Sequence, residues 1–460
     1  MSEPAELVAL PEYRAGASAV LPDARRWPLL TPQAAATLHR WRTHPDAPAW
    51  THATGDRLTP AWVAEAQQPL PLDGWLEEHL ARARRLMFYR DMRGLDRLED
   101  FPLIGREDLM RDVAAFVPLD ADMERMVHGS SSGSTGAALV VPDDVVEVAR
   151  TFHLIRDLVR AQGVDWEPDE ERMALAYVVN QRDAFTYVSL ISGFAMRPMV
   201  RVNLHGAAWT DAGAAARFLG AAHPQVISGD PASLAALLEE PLASAVRPLA
   251  VVSGGTALTA PLRAAVEEAF ACPVLDVYGL HETRPLAYRV DNGPLRVLRR
   301  RIVVEVVDSH GVAVPDGEVG EVVVTVGENP WLPLVRYRTG DFAARVVMPD
   351  GAGALTTAVG LDRLEGRENT MFVARDGTAV PCIDLTQHLQ AHGAWGWTVV
   401  QDAAGAVHAR VAGGDVAAIT AALTALLGGV SVRVELVDSV AALGPGKPRR
   451  FRCDAKPSAR

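Results

Sequence analysis

A run of glycines and small hydroxyl residues, HGSSSGSTGAALVV at residues 128–141, is the part of the chain best suited to chemistry. Glycines let backbone amides approach a ligand closely, and the serine and threonine hydroxyls add hydrogen-bond donors. This composition suits a loop that wraps a polyphosphate, although such runs also serve as plain linkers or turns. It is not a Walker-type P-loop, because no lysine followed by serine or threonine comes after the glycines.

Four more motifs with chemically useful side chains follow further along the chain. They are DVYGLHET at residues 276–283, RYRTGD at 336–341, EGRENTM at 365–371 and GPGKPRR at 444–450. Their acids and bases can bind a metal ion, accept hydrogen bonds from a sugar or neutralise phosphate charge. Each of these residues alone could also be a solvated loop residue or a helix cap. The order in which the motifs occur is therefore the stronger signal.

Together the five motifs resemble those of the adenylate-forming superfamily of acyl-CoA ligases and related enzymes, and in detail its phenylacetate-CoA ligase branch. The segments RLMFYRD at residues 85–91 and LEDFPLIGREDL at residues 98–109 are also similar to that branch. The resemblance extends over roughly residues 75–452. It implies ATP-dependent ligation of a carboxylic acid to coenzyme A through an acyl-AMP intermediate. The branch favours an aromatic or aryl-acetic acid.

The resemblance also implies which residues bind the nucleotide. The glycine and serine loop would close over the β- and γ-phosphates, a tyrosine and neighbouring glycines would border the adenine, and an acid would accept both ribose hydroxyls. The residues that match these positions are Ser131, Ser132, Gly133, Ser134, Thr135 and Gly136 for the phosphates, Gly254, Gly255, Tyr278 and Gly279 for the adenine, Asp341 for the ribose, and Arg367 near the phosphates and ribose. A carboxylate suits a vicinal diol because it has two acceptor oxygens.

Two residues would act directly in catalysis. Glu282 stands where the family places its magnesium-binding carboxylate, and Lys447 matches a mobile lysine that reaches the α-phosphate and the substrate carboxylate. A long flexible cation in that place would offset the repulsion between the two anions. The acid pocket is expected to be lined by Phe185, Tyr187, Phe194 and His281. The histidine among them could instead be a structural hydrogen-bond donor.

Three positions depart from the family pattern. Ala137 stands where the phosphate loop usually carries a lysine, Thr256 where an acid is frequent, and Asn369 where many relatives place a hinge aspartate between two domains. Loss of the lysine removes a point charge but keeps the backbone cradle, so weaker ATP binding is expected. Asparagine tolerates unusual backbone angles, so rotation about this hinge is still expected.

Periodicity and the resemblance together predict an α/β fold. Alternating helix and strand patterns from about residue 145 to residue 277 predict a parallel sheet that helices cover on both faces. Beyond residue 291 the pattern becomes β-rich, with one strand expected over residues 295–307. Three parts are expected: a helical N-terminal extension (1–75), a large adenylation domain with parallel sheets covered by helices plus a β-rich subdomain (76–365), and a small mobile α+β C-terminal domain (366–460).

Composition narrows the partners and the compartment. The 460 residues include 45 Lys and Arg against 57 Asp and Glu, and the net charge of −12 disfavours a nucleic-acid or membrane-surface partner. The N-terminus shows no secretory signal, and the longest apolar stretch, residues 416–430, is too short for a membrane span. Cys272, Cys382 and Cys453 are widely spaced. This spacing argues against a disulfide framework or a cysteine-rich zinc site and favours a reducing cytoplasm.

Three functions stay open at the level of the sequence. The first is the acid:CoA ligase, which would use ATP, Mg²⁺ and coenzyme A and act on a small carboxylic acid. The second also adenylates its acid but passes the acyl group to a carrier protein or an amine. The third is a nucleotide-binding interaction protein that has lost catalysis; the three departures favour it, and the retained Glu282, Asp341, Arg367 and Lys447 argue against it. A homodimer is a further expectation, because relatives are often dimers.

Overall fold

The computed structural model describes residues 21–131, 139–181, 184–349, 355–366, 370–444 and 451–455, apart from the side chains of residues 130, 131, 381, 383, 387 and 441. Every helix within these ranges is too short or too polar to cross a membrane. The first part of the chain forms α1 (Asp23–Arg26), α2 (Pro32–Arg42), α3 (Pro60–Ala66), α4 (Trp75–Ala83), α5 (Arg106–Arg111), β1 (Met126–Ser131), β2 (Leu139–Asp144) and α6 (Val145–Arg160).

Strands and helices then alternate, as the periodicity predicts. The elements are β3 (Leu175–Val179), β4 (Tyr187–Ile191), β5 (Arg197–Asn203), α7 (Ala214–Ala222), β6 (Val226–Gly229), α8 (Pro231–Leu237), α9 (Leu242–Ala245), β7 (Ala250–Gly254), α10 (Ala260–Phe270) and β8 (Val274–Leu280). Polar side chains at the start of the longer helices satisfy exposed amides: Asp144 accepts from Val146 N at 2.9 Å, and Thr259 accepts from Leu262 N at 3.4 Å.

A β-rich stretch and a small mixed unit complete the chain. The β-rich stretch contains β9 (Arg284–Arg289), β10 (Leu295–Leu298), β11 (Ile302–Val307), β12 (Val319–Val326), β13 (Leu334–Val347) and β14 (Thr356–Glu365). The mixed unit contains β15 (Met371–Val373), β16 (Ala379–Pro381), α11 (Cys382–Ala391), β17 (Gly396–Gln401), β18 (Val407–Ala412), α12 (Val416–Leu426), β19 (Val432–Val437) and β20 (Phe451–Cys453). These elements match the predicted change of pattern along the chain.

Twelve strands form one continuous sheet in the order β11-β12-β13-β14-β10-β9-β8-β7-β6-β3-β5-β4. Five neighbouring strands of this sheet, β5, β3, β6, β7 and β8, run parallel to one another. Antiparallel pairs flank them on both sides, β4 with β5 and β8 with β9. The parallel sheet and the β-rich region expected from the sequence are thus joined, because the β8–β9 hairpin carries the sheet onward. The single strand expected over residues 295–307 is wrong. Residues 295–307 instead form two strands, β10 and β11, which are separated by the arginines at 299–301. Arg300 in this break forms an ion pair with Glu328.

One arginine anchors the upstream segment 98–109 to β13. The Arg336 side chain donates to the Phe101 carbonyl at 3.3 Å and forms an ion pair with Glu305 at 3.0 Å. Backbone bonds run from Ile104 N to the Arg336 carbonyl (3.2 Å) and from Arg338 N to the Ile104 carbonyl (2.7 Å). The segment therefore adds a short parallel bridge beside β13 and fixes the strand that carries the RYRTGD motif.

The C-terminal unit has its own hydrophobic core, which includes Phe372, Leu385, Trp397 and Leu423 and draws only on residues 372–451. Its sheet order is β19-β18-β17-β20. Hydrogen bonds join this unit to the rest of the molecule, from Thr259 Oγ1 to the Trp395 carbonyl (3.2 Å) and from Thr386 Oγ1 to Glu365 Oε2 (2.9 Å). Cys272, Cys382 and Cys453 form no disulfide within the described part of the chain.

Residues 27–50 pack into the core of the large sheet. Trp27, Leu38, Trp41 and Trp50 belong to the same cluster of buried residues as strands β3 to β7. Trp27 is fully buried, and its indole Nε1 donates to the Leu190 carbonyl on β4 at 3.0 Å. The described part of the N-terminal segment therefore covers one face of the sheet.

We expect Trp27→Ala to lower the free energy of unfolding by about 3–5 kcal/mol, because it removes a buried indole and leaves a cavity. Trp27→Phe is the matched control: it keeps most of the apolar volume and loses one hydrogen bond, which costs about 1 kcal/mol. Urea denaturation followed by circular dichroism measures both. Equal stability of the alanine variant and the unchanged protein would mean that this segment does not contribute to the core.

Candidate active site

The glycine and serine loop joins the two strands of a hairpin. Its predicted phosphate-binding residues Ser132, Gly133, Ser134, Thr135 and Gly136 lie outside the described residues, as does Ala137. The strands on either side pair in antiparallel register from Met126↔Asp144 to Ser131↔Leu139. Because the register holds up to Ser131, both ends of the loop are fixed in space.

The DVYGLHET motif forms strand β8 and the turn into β9. Thr283 Oγ1 accepts from Leu280 N at 3.0 Å and donates to the Arg284 carbonyl at 3.1 Å. Arg284 adopts a left-handed backbone with φ 61°. A Cβ at Gly279 would overlap the Arg284 carbonyl, so only glycine fits there. This tight turn places Glu282 at the tip of the hairpin.

Glu282 is a buried carboxylate with one oxygen unused. It is 3% exposed, and its Oε1 accepts a hydrogen bond from the Tyr337 hydroxyl at 2.6 Å. Its Oε2 is buried without a hydrogen-bond partner in the described part of the chain. An unpartnered buried carboxylate oxygen is costly unless a cation or donor completes it. The residues present therefore fit a magnesium ion.

The same region offers no cage of several protein ligands. Among the described residues there is no group of three or more His, Cys, Asp or Glu side chains that could hold a metal ion. Mg²⁺ commonly binds one or two carboxylates and takes its other ligands from substrate phosphates and water. A lone carboxylate such as Glu282 is consistent with that mode and not with a structural zinc or calcium site.

Asp341 accepts a second tyrosine hydrogen bond, which links the hairpin and β13 in the opposite sense to the bond between Tyr337 and Glu282. Its Oδ2 accepts from the Tyr278 hydroxyl at 2.9 Å, and its backbone N donates to Thr339 Oγ1 at 3.0 Å. The β8 hairpin thus gives a tyrosine to Asp341, while β13 gives Tyr337 to Glu282. The structure brings together three of the predicted site residues, Tyr278, Glu282 and Asp341.

The other predicted nucleotide residues lie around this pair of strands. Gly254 ends β7 beside Val277 of β8, where a Cβ would sit 3.3 Å from the Val277 carbonyl, and Gly255 follows with φ 82°. A Cβ at Gly366 would lie 3.6 Å from Asp341 Oδ1, so the end of β14 reaches the site. Arg367 and Asn369, which follow it, lie outside the described residues.

Lys447 also lies outside the described residues, but both ends of its segment are placed. A 3₁₀ turn, Val440–Leu443, comes before it and packs against β17 and β18. After it, β20 pairs in parallel with β17, with Phe451 opposite Val399. The same 3₁₀ turn contacts α8 of the large sheet. The GPGK segment therefore starts at a contact between the C-terminal unit and the large part of the molecule.

A cavity of about 300 Å³ lies between α6 and the sheet, beside the hairpin. Its walls are mostly apolar, with hydroxyl and charged groups at a few places. It is lined by Val148, Thr151, Phe152, Ile155, Trp166, Leu175, Tyr177, Ser228, Val252, Ser253, Gly254, Val277, Gly279, Leu280, His281, Arg284 and Pro285. Its size and its apolar walls suit a small organic acid.

Only one of the four predicted pocket residues lines this cavity, His281. Phe194 packs behind the wall, against Phe152 (ring centroids 6.4 Å apart) and Trp166 (5.6 Å). Phe185 and Tyr187 are not among the lining residues and instead contact the ring of His52, at 5.3 and 5.8 Å. The sequence predicted aromatic residues, but most of the residues that line the cavity come from α6 and from the ends of the strands.

His281 packs tightly on strand β1. A Cβ at Gly129 would collide with its Nε2, and that nitrogen lies 3.9 Å from Asp143 Oδ2. Arg284 forms an ion pair with the same Asp143. Burial, and to a smaller extent the Arg284 guanidinium, lowers the pKa of His281, so the ring is neutral at neutral pH. Contacts of this histidine therefore couple the hairpin that carries Glu282 to the strand that leads into the glycine loop.

Sequence reasoning missed Tyr337, Arg284 and Asp143. Tyr337 lies inside the RYRTGD motif and Arg284 directly follows DVYGLHET, so both had a local signal. Asp143 had none, because its partners are more than a hundred residues away in the sequence: Arg284 at the start of β9, and Asn329 between β12 and β13, whose Nδ2 lies 3.3 Å from Asp143 Oδ1. Such long-range ion pairs are invisible without the fold.

We expect Gly129→Ala to destabilise the protein by about 1–3 kcal/mol, since the added methyl group overpacks against the His281 ring. His281→Ala should remove that clash. In the double variant the alanine at position 129 should therefore cost much less than it does alone, and thermal unfolding of all four proteins measures this coupling. Additive effects of the two substitutions would show that the ring and this glycine do not meet.

Comparison with known proteins supports the family indicated by this geometry. The family model for "AMP-binding enzyme" matches residues 131–328. The phenylacetate-coenzyme A ligase of Escherichia coli (strain K12) is 26% identical over 326 residues, which are 66% of this chain and 70% of that enzyme. The enzyme of the same name from Pseudomonas putida is 24% identical over 313 residues, 63% of this chain and 66% of that enzyme. The chain thus spans about two thirds of the length of these relatives.

Solved structures show the same fold. A 2-hydroxyisobutyryl-CoA ligase in the postadenylation state, in complex with R3-HIB-AMP, matches with a TM-score of 0.58 at 18% identity, covering 85% of this chain and 88% of that one. An open conformation of that ligase matches with a TM-score of 0.52, covering 84% and 96%. These likenesses confirm the expected fold class. Together with the family match and the two ligases above, they show that the chain resembles the adenylate-forming enzymes, and among them the phenylacetate-CoA ligases.

Proposed function

We propose that the chain is an ATP-dependent carboxylic acid:CoA ligase that forms an acyl-AMP and then a thioester. The observation that carries this proposal is the buried, unpartnered Oε2 of Glu282. It lies on a hairpin that also lines an apolar cavity and is hydrogen-bonded to the strand of Asp341. Subsites for a metal ion, a nucleotide and an acid are therefore adjacent. The family match and the three phenylacetate-CoA ligases support the same activity.

In the first step, a carboxylate oxygen of the acid attacks the α-phosphorus of ATP. A new oxygen–phosphorus bond forms, and the bond to the bridging oxygen breaks as pyrophosphate leaves with its electron pair. Glu282 would hold a magnesium ion, which supplies neutralisation of phosphate charge. The apolar walls around His281 would exclude water, which could otherwise hydrolyse the mixed anhydride.

The chain's own residues would hold the nucleotide in this step. Asp341 would accept the ribose hydroxyls while the Tyr278 hydroxyl fixes the orientation of its carboxylate. Gly254, Gly255 and Gly279 would border the adenine, and residues 131–136 would donate to the β- and γ-phosphates. Arg367 would add charge near the phosphates. Since Ala137 replaces a lysine, the affinity for ATP should be lower than in relatives that keep it.

In the second step, the sulfur of coenzyme A attacks the acyl carbon and AMP leaves with the electron pair of the broken carbon–oxygen bond. Residues 366–460 would form a mobile domain that turns about residues 366–369 between the steps. Its separate core supports this division. The bond from Thr259 to the Trp395 carbonyl would have to break and reform in each cycle.

Coenzyme A is the acceptor that the named relatives favour, and a carrier protein or an amine is the alternative. Substrate-dependent ATP–pyrophosphate exchange over a panel of aryl and aryl-acetic acids tests the first step. Adding coenzyme A, then carrier proteins or amines, to the active acids tests the second. If no acid supports exchange, the result would favour a nucleotide-binding interaction protein that has lost catalysis. A homodimer and a cytoplasmic location stay predictions.

We expect Glu282→Gln to abolish acid-dependent exchange. The substitution keeps the shape of the side chain and the bond to Tyr337, but removes the charge that a hard cation prefers. Glu268→Gln, at an exposed position of α10, is the matched control and should behave like the unchanged protein. Circular dichroism should show both variants folded. Near-normal exchange by Glu282→Gln at ordinary magnesium would remove this residue from the metal site.

Lys447→Ala should separate the two half-reactions. Its ammonium would act on charge that develops as acyl-AMP forms, so loss should slow this step by about 10²–10³-fold. The second step uses another face of the C-terminal domain, so synthetic acyl-AMP and coenzyme A should still give thioester. Lys456→Ala, the next lysine in the sequence, is the control. Equal loss in both steps would point to misfolding, and loss in neither would mean that the GPGK match is a coincidence.

A further inference from the structure

A row of polar side chains crosses four neighbouring strands of the large sheet. In register these are Tyr187 on β4, Arg201 on β5, Tyr177 on β3 and Ser228 on β6, and the row continues into Val252 on β7. Paired residues on adjacent strands project from the same face, at about 5 Å from each other. Both tyrosines pack against the buried cluster that contains Leu158 of α6. The row therefore lies on the face of the sheet that forms the cavity.

Two members of this row line the cavity, Tyr177 and Ser228. Within the described ranges, no hydrogen bond involves either hydroxyl. Burial raises the pKa of Tyr177 to about 12, so its hydroxyl keeps its proton and can donate at neutral pH. Two hydroxyl groups thus face a mostly apolar cavity with their hydrogen-bonding capacity unused.

Arg201 lies one strand beyond Tyr177 and brings a cation near this part of the cavity without lining it. It is the register partner of Tyr187 on β4, its Nε is buried without a hydrogen-bond partner, and no carboxylate of the described residues forms an ion pair with it. His52 lies against the Tyr187 ring at 5.8 Å. Burial lowers the pKa of His52, and the Arg26 and Arg201 guanidiniums lower it further. A partly buried guanidinium without a counter-ion favours an anion or a strong acceptor.

Measured along the strands, the row lies further from the carboxyl ends than the hairpin that carries Glu282, although the Arg284 guanidinium of that hairpin lines the same cavity and acts on the pKa of Tyr177. Val252 of the row pairs with Leu275 on β8, and Gly279 is four residues further along that strand. At about 3.3 Å per residue, Gly279 and the turn that follows it are at least ~13 Å away along the strand direction. An acid whose carboxylate reacts near Glu282 would therefore point its other end towards Tyr177.

We propose that the acid substrate carries an oxygen substituent, a hydroxyl or a second carboxylate, at the end remote from its reacting carboxylate. Tyr177 and Ser228 would bind that oxygen directly, and Arg201, one strand beyond the cavity wall, would stabilise negative charge on it. This inference rests on the proposed ligase function and narrows its substrate class. A purely apolar acid would leave both hydroxyls without partners, and a pocket built to bond a polar group discriminates strongly against analogues that lack it.

The test compares phenylacetates that carry a methyl, hydroxyl or carboxyl group at the para position, in acid-dependent ATP–pyrophosphate exchange. The methyl compound fills a similar volume without hydrogen bonds. We expect kcat/KM for the hydroxyl or carboxyl compound to exceed that for the methyl compound by about tenfold or more. A preference for hydroxyl would assign recognition mainly to Tyr177 and Ser228, and a preference for carboxyl would assign it mainly to Arg201.

Two variants check that the row is the cause of the preference. Tyr177→Phe should bring the ratio of oxygen-bearing to methyl substrate towards one, and Arg201→Met should do so most for the carboxyl compound. Tyr288→Phe, at a buried tyrosine on β9 outside the cavity, should leave the ratio unchanged. Exchange without a preference for oxygen, or a preference that survives both variants, would overturn this inference and leave the ligase function standing. No exchange with any acid would overturn the proposed function and this inference with it.

Discussion

Two reversed tyrosine–carboxylate hydrogen bonds hold the candidate site together. Tyr278 on the β8 hairpin donates to Asp341 on β13, and Tyr337 on β13 donates to Glu282 on the hairpin. Both acids are almost fully buried, and removing either donor would leave a carboxylate with fewer partners in a low-dielectric surrounding. Because each strand supplies one donor and one acceptor, neither can shift without breaking both bonds. The two buried carboxylates are therefore held at a fixed separation.

This pairing depends on a change of direction in the sheet. Parallel strands end on one edge, and the tight turn from Leu280 to Arg284 sends the chain back as the first antiparallel strand on that side. Along the chain, β13 follows three more strands of the antiparallel block, β10, β11 and β12, and Arg336 ties it to segment 98–109. Ligands of open α/β sheets bind at the carboxyl ends of strands. Here the turn after β8 places the buried Glu282 at the carboxyl end of that strand.

Much of the fold could be predicted because local rules determine it. Short apolar strands between capped helices gave the alternation from residue 145 to 277, and Glu282 was expected after a strand, where it lies. The union of the parallel and antiparallel regions into one sheet was not predicted, since it depends on pairing between strands far apart in sequence. The cavity wall was also missed for the most part: Trp166 and Arg284 reach it only through the packing of α6 and the hairpin.

The polar groups around the cavity bear on its specificity. At the hairpin end it is lined by Arg284, which is paired with Asp143, and the buried Glu282 lies on the same hairpin. Further along the sheet it is lined by the hydroxyls of Tyr177 and Ser228, with Arg201 one strand beyond the wall. The net charge of −12 gives no general attraction for acids. An acid with polar groups at both ends would thus be oriented by local contacts alone. Since Tyr177, Ser228 and the hairpin that carries Glu282 belong to different strands of one sheet, substitutions at Tyr177 or Ser228 can alter the choice of acid without moving that hairpin.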